Sequence, residues 1–334
     1  MKTFLAITSC RFFRLCGLAA VLFLVASGGA VSQVPSSSQN SSSEPFKIRV
    51  NANLVVLHAT AEDHKGVLVS GLAQDNFQVY EDGALQQIKY FSHQDVPVTV
   101  GLVIDNSGSM LTKRALVIAA ALEFARSSNP QDQMFVVNFN EHVFFGLPDD
   151  MPFTGHVDQL EVALSRINTT GRTALYDAVA VALNHLKQGN RDKKVLIVIS
   201  DGGDNASKHT NLAQIMAMAQ RTDVIIYAIG LFDERDGDRN PAVLKQLAQN
   251  TGGDVYLPES LKETVPICER IARDIRNQYT IAYVPANMKQ DGTYRTIQIK
   301  ASGPGHGKLV VRTRAGYRAP PVSPSSSSAR RNKP

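Results

Sequence analysis

From residue 96 onward the chain alternates short, wholly apolar runs with amphipathic stretches of helical period, and few folds accept that rhythm. Residues 98–104 (VTVGLVI) are apolar on both faces, as a strand of a buried parallel sheet must be, and 134–139 (MFVVNF), 194–200 (KVLIVIS) and 224–230 (VIIYAIG) read as further strands. Between and beyond them, residues 111–126, 157–167, 174–188, 212–221 and 241–250 read as helices, the last with Pro241 in its first turn. Residues 143–147 and 255–257 add further strands, and 261–278 a closing helix. The expected class is α/β, a doubly wound and mainly parallel sheet covered by helices on both faces.

The flanks follow a different rule. Residues 47–59 are rich in Val and Leu and lead to a turn at 63–66, while 76–80 and 86–91 face each other across Glu81-Asp82-Gly83, an Asp-Gly hairpin signal. Residues 279–284, 294–301 and 308–314 return to this chemistry around Asp291-Gly292 and 303–307. The two flanks, 46–95 and 279–319, are expected to pair into one accessory β-layer beside the unit 96–278.

The ends stand apart from the fold. Lys2, Arg11 and Arg14 precede the apolar run 15–26, and small residues follow it, which is a signal-peptide layout over residues 1–32 with cleavage after Ala30 or Ser32. Cys16 lacks the small residues that precede a lipidated cysteine. Residues 33–45 are Ser-rich and too polar to bury a core, so they read as a disordered linker, and 320–334 as a disordered tail. The chain is therefore expected to be exported, whether periplasmic, cell-surface or secreted. An uncleaved N-terminal segment is its one expected route to a membrane.

The formal charge of +5 resides mostly in these ends. Without Lys2, Arg11 and Arg14 it is +2, and without Arg330, Arg331 and Lys333 about −1, so the body offers no electrostatic footprint for nucleic acid. After signal removal Cys268 is the single cysteine, so no internal disulfide forms and the core must hold the fold. It falls on the apolar stripe of a predicted helix with Val265, Ile271 and Ala272 and reads as a small buried hydrophobe.

In a parallel sheet the ligand crevice lies at the carboxyl ends of the strands. The richest loop at that end is Asp105-Asn106-Ser107-Gly108-Ser109, directly after the first central strand. A carboxylate and two hydroxyls at alternate positions converge if Gly108 lets the loop bend, and an all-oxygen set suits a hard cation such as Mg²⁺, with Mn²⁺ or Ca²⁺ as alternatives. No Cys or His joins them, which argues against zinc. The competing reading is a loop that caps helices, with Asp105 and Ser107 as N-caps.

This Asp-x-Ser-x-Ser element resembles the metal-ion-dependent adhesion site of von Willebrand factor A and integrin inserted domains. Two further elements match in order: Thr173, within Gly171-Arg172-Thr173-Ala174-Leu175, and Asp201, within Ser200-Asp201-Gly202-Gly203. The likeness spans roughly residues 96–278. It implies that Ser107 and Ser109 bind the ion directly, that Thr173 and Asp201 do so directly or through water, and that Asp105 orients those waters from beneath. An open coordination position then accepts an acidic side chain from a protein or extracellular ligand. Arg172 stands where the family commonly has Gly, and a long cation there either steers a partner carboxylate inward or competes with the ion. The flanks resemble VWFA-related proteins of acidobacterial genomes through Gly71-Leu72-Ala73-Gln74-Asp75-Asn76-Phe77, Glu81-Asp82-Gly83 and the ending Gly316-Tyr317-Arg318-Ala319-Pro320.

Other signals carry less. Asp204 and Asn205 read as turn chemistry after Gly-Gly. Asp233, Glu234, Asp236 and Asp238 are diluted by Arg235 and Arg239 and lack the glutamate that closes an EF-hand loop. Gly303 to Lys308 evokes a phosphate loop, but a strand follows it and no Ser or Thr does, so a hairpin turn is expected. No His-Glu-x-x-His or Gly-x-Ser-x-Gly is present. The expected function is thus a non-catalytic, metal-dependent binding module. A scaffold acting through its β-layer is the alternative, and a metal-dependent hydrolase a more distant one, for want of a general base beside the site.

Overall fold

The computed structural model describes residues 54–321 apart from 233–236, 238 and 304. The expected signal segment, linker and acidic 233–238 cluster, and all but the first two residues of the tail, lie outside the described residues.

In chain order, β1 (Val55–Glu62), β2 (Phe77–Glu81), β3 (Ala84–Gln86) and β4 (Ile88–Ser92) come first. Then follow β5 (Val98–Asp105), α1 (Arg114–Ser127), β6 (Gln133–Phe139), β7 (Val143–Phe145), α2 (Val157–Ser165), α3 (Leu175–Leu186), β8 (Lys193–Ser200), α4 (Leu212–Thr222), β9 (Ile225–Gly230), α5 (Pro241–Thr251), β10 (Val255–Tyr256) and α6 (Thr264–Arg276). The chain closes with β11 (Tyr279–Tyr283), β12 (Tyr294–Gly303), β13 (Gly307–Arg312) and β14 (Gly316–Arg318).

One sheet has the order β10-β9-β8-β5-β6-β7, with β7 antiparallel to its neighbour and the other pairings parallel. Every residue of β5 is buried, as its unbroken apolar run demands. The helices carry the caps their sequences announce: Asn211 and Gln214 form a capping box at α4, and Asn240 with Pro241 opens α5, which ends on Gly252 at φ 86°. Cys268 is fully buried and its thiol is pushed up to about 12 by that burial, consistent with a core residue.

The second sheet is antiparallel and draws on both flanks, in the order β3-β2-β12-β13-β1-β11-β4, with β14 added on β12. The Asp-Gly turn forms as expected, with Asp82 at φ 49° and Gly83 at φ 82° between Glu81 and Ala84. Its return strand, expected as one piece over 86–91, instead divides. Residues 84–86 pair with β2, whereas β4 crosses to β11, where the Phe91 ring lies 5.4 Å from Phe77 and 5.7 Å from Tyr279. Packing of that aromatic cluster overrides the local hairpin preference. The expected phosphate-loop mimic is a hairpin connection, since Gly303 pairs with Gly307 between β12 and β13.

A buried polar network joins this layer to the α/β unit. Arg312 Nη2 lies 2.8 Å from Asp274 Oδ2 on α6 and 2.9 Å from Glu62 Oε1 on β1, and the Tyr227 hydroxyl of β9 donates to the same Asp274 oxygen at 2.9 Å. Lys193 is buried at the start of β8 and donates to the Ile275 carbonyl at the end of α6. Burial lowers its pKa from 10.5 to about 7, against the pull of Asp274, Asp132 and Asp95. The folded chain sheds this proton near pH 7 while the unfolded chain keeps it to about 10.5, so stability rises with pH across that window. The parent is expected to gain roughly 1 kcal/mol per pH unit on Lys193→Met between pH 7.5 and 9.5 in urea unfolding. A parent–variant difference that stays constant with pH would refute it.

Candidate metal centre

Three loops meet at the carboxyl end of the central sheet because β5 and β8 are parallel neighbours in the register Ile104 to Ile199. Asp105 therefore ends its strand beside Ser200. Its Oδ2 accepts from the Ser200 hydroxyl at 2.6 Å and its Oδ1 from the Ser107 backbone N–H at 2.8 Å. Burial, with the charge of Asp201 adding to it, raises the Asp105 pKa from 3.8 to about 6, while the bonds from Ser107 and Ser200 oppose the rise.

Ser107 stands at the N-cap position of a 3₁₀ turn over Gly108–Met110 but makes no side-chain capping bond. Its Oγ lies 3.2 Å from Ser109 Oγ, and the Ser109 hydroxyl donates to Asp201 Oδ2 at 2.5 Å. Asp201 follows β8, and its Oδ1 accepts from Gly203 N at 3.0 Å. Ser107, Ser109 and Asp201 thus bring their oxygens together, with Asp105 directly behind.

Thr173 belongs to the third loop. Gly108 N–H donates to Gly171 O at 3.0 Å and Thr170 N–H to Asn106 O at 2.9 Å, so this loop lies against the first one. Ala174 N–H donates to Asn140 O at 2.8 Å, while Thr173 donates its N–H to Asn205 Oδ1 at 3.0 Å and accepts from Asn205 N and Ala206 N. Gly171 has φ 83°, and a Cβ there would lie 1.7 Å from Glu141 Oε2, which instead accepts from Arg172 N at 2.8 Å. Among the described residues the Arg172 guanidinium forms no ion pair, and its side chain is exposed.

Asp204 and Asn205, read from sequence as turn residues, tie the second loop to the third. Asp204 Oδ1 accepts from Tyr176 N and Ser207 Oγ, and Asn205 holds Thr173. Sequence reading missed Ser200, Asn106 and Asp177. Asn106 spans Ile104 O, Asn138 Oδ1 and the Arg114 guanidinium, and Asp177 accepts from the backbone of 208–210. Only the Asp177 position carried a hint, since it closes the Ala-Leu-Tyr-Asp helix start; the others depend on strand register.

The donor set suits a hard cation. Ligands about 2.0–2.1 Å from an octahedral ion place neighbouring oxygens about 3 Å apart. The observed separations of 3.2 and 2.5 Å lie on either side of that spacing. Among the described residues no group of three or more His, Cys, Asp or Glu converges, so a cation here would depend on hydroxyl oxygens as well as carboxylates.

The α/β unit has a von Willebrand factor A-like fold. Residues 100–203 match the family model described as von Willebrand factor type A domain. No curated protein sequence matches the chain. Similar solved structures include a von Willebrand factor type A protein from Catenulispora acidiphila, 14% identical over 80% of this chain and 73% of that one, with a TM-score of 0.48. The von Willebrand factor domain of the type V pili tip protein Mfa5 from Porphyromonas gingivalis is 15% identical over 54% of this chain and 95% of that one, with a TM-score of 0.45. Proximal thread matrix protein 1 from the mussel byssus, with a zinc-occupied MIDAS motif, is 17% identical over 55% of this chain and 48% of that one, with a TM-score of 0.43.

Proposed function

We propose that the chain is an exported, non-catalytic protein-binding module that reaches a carboxylate on its partner through a divalent cation, Mg²⁺ or in its place Mn²⁺ or Ca²⁺. One observation carries this reading: the Ser109 hydroxyl lies within hydrogen-bond distance of both Ser107 Oγ and Asp201 Oδ2, backed by Asp105, at the carboxyl end of the sheet. Ser107 and Ser109 would hold the ion, Thr173 and Asp201 would hold it directly or through water, and Asp105 would orient that water. Of the two aspartates only Asp201 would reach the ion, directly or through water, so its ligands offset at most one of the cation's two charges and an incoming Glu or Asp side chain finds an attractive position. Arg172, exposed at the rim, adds a second cation for that carboxylate.

Export rests on the residue 1–32 pattern. No described helix is long and apolar enough to cross a membrane. The likeness of the β-flanks to acidobacterial VWFA-related proteins belongs to the same proposal.

Isothermal titration of the full chain with Mg²⁺ and with Mn²⁺ tests the site. Saturable binding near one ion per chain is expected, and its loss in Asp105→Ala/Ser107→Ala with the far-UV spectrum retained. Equal binding by parent and double variant would sink the assignment.

A further inference from the structure

One cleft in the described structure is remote from the metal loops. It lies where α4 ends and the accessory layer begins, with a volume of about 720 Å³. Strand β9 runs parallel to β8, and the residues joining α4 to β9 line the cleft, so it opens at the amino-terminal edge of the sheet, opposite Asp105 and Asp201. Its walls come from residues 220–223, from the 285–292 connection and from 314–321.

The charges in this cleft are one-sided. Arg221, Lys289, Arg295, Arg314 and Arg318 line it against a single carboxylate, Asp223. Arg295 is committed to Glu81 and Arg314 to Asp223. Arg221, Lys289 and Arg318 are exposed and form no ion pair among the described residues. The cations are interleaved with apolar surface from Leu54, Met288, Pro320 and Pro321, and Met288 is 64% exposed. A volume of this order is that of a ligand site, and its concave, mixed lining differs from the flat basic face that a lipid surface needs. Guanidinium forks match carboxylates, and the Arg314 contact with Asp223 shows that chemistry already in use at the cleft wall.

We propose that this cleft is a second binding site, independent of any metal, for an acidic peptide segment whose carboxylates engage Arg221, Arg318 and Lys289 while its apolar atoms rest on Met288 and the prolines. The body of the chain is close to neutral, so the local excess is a feature of this cleft and not of the whole surface. Together with the proposed cation site, it would give the chain two acid-recognising faces at opposite ends of the sheet.

The test is fluorescence anisotropy of a labelled hexaglutamate peptide with the full chain in EDTA, which silences the metal face. Saturable binding is expected, at least tenfold weaker in Arg221→Glu/Arg318→Glu. Arg221 and Arg318 are both exposed, and thermal melts check that the double variant folds. Lys245→Glu/Lys262→Glu, an equal charge reversal elsewhere on the surface, is expected to leave binding within twofold. No saturable binding, equal affinity in the cleft variant, or an equal loss in the control pair would overturn the proposal. Full displacement by free glutarate at equal carboxylate concentration would overturn the assignment to a peptide. Failure of this test leaves the cation titration of the opposite face untouched, and the converse holds.

Discussion

Arg295→Met is expected to destabilise the protein by about 3–5 kcal/mol, because it strands a buried carboxylate. The side chains of Arg295 and Glu81 are 3% and 2% exposed, and Arg295 Nη1 lies 3.1 Å from Glu81 Oε1. The same guanidinium donates to the carbonyls of Asn287 and Lys289, so it also pins the 287–289 connection to β12. On the other side, Tyr283 and Tyr317 donate their hydroxyls to Glu81 Oε2 at 2.7 and 2.9 Å, and burial together with that carboxylate pushes both phenols up, Tyr317 to about 12. Methionine keeps much of the volume and none of the donors, so Glu81 would retain two neutral partners and lose its charge partner. Urea unfolding at pH 7 reads the loss. Glu81→Leu/Arg295→Met should recover part of it, since removing both charges ends the stranded ion, though each tyrosine then lacks an acceptor at about 1–3 kcal/mol. A single-variant loss under about 1 kcal/mol would show that water reaches Glu81 and that the pair is not buried in solution.

Gly202→Ala should damage stability and the candidate metal centre together. Gly202 has φ 78°, and a Cβ there would lie 2.4 Å from Asn240 O and 3.0 Å from Asn240 C. Those atoms are backbone at the start of α5 and are tied back to the same loop, because Asn240 N–H donates to Asp201 O at 3.0 Å. No side-chain rotation relieves the contact. Either α5 shifts, or the 201–203 loop does and takes the Asp201 carboxylate away from Ser109. Left-handed strain and overpacking together are expected to cost about 2–4 kcal/mol. The Mg²⁺ titration should weaken at least tenfold, against a parent measured under the same folded conditions. Wild-type stability in Gly202→Ala would mean that the loop and α5 are loosely coupled, and unchanged ion binding would mean that Asp201 does not contribute to the site.

The α/β rhythm was legible before any coordinates, because it depends on residues near in sequence. The unbroken apolar runs of β5, β8 and β9 and the proline in the first turn of α5 are local physics, and each element of the α/β unit formed within a few residues of its expected place. The loop bearing Asp105, Ser107 and Ser109 was legible for a related reason: position after a strand in a parallel sheet already places a residue at the crevice, whereas Thr173 and Asp201 were singled out by resemblance to a known family.

Tertiary structure alone decided the rest. The division of the return strand after Gln86 follows from the meeting of Phe77 and Phe91 with Tyr279, which lies 188 positions beyond Phe91. Ser200 reaches Asp105 only through strand register, and Asn205 reaches Thr173 only because two loops cross. The Glu81–Arg295 pair joins residues 214 positions apart, and the cleft brings Arg221 to Lys289 and Arg318, 68 and 97 positions further on, spacings at which no periodicity or motif survives. Sequence by itself determined which segments are strands and helices and which side chains stand at the sheet's open end, since short-range sterics and hydrophobic period act there; which of those side chains touch was settled by packing, since contact energies between distant segments appear only once the chain has closed on itself.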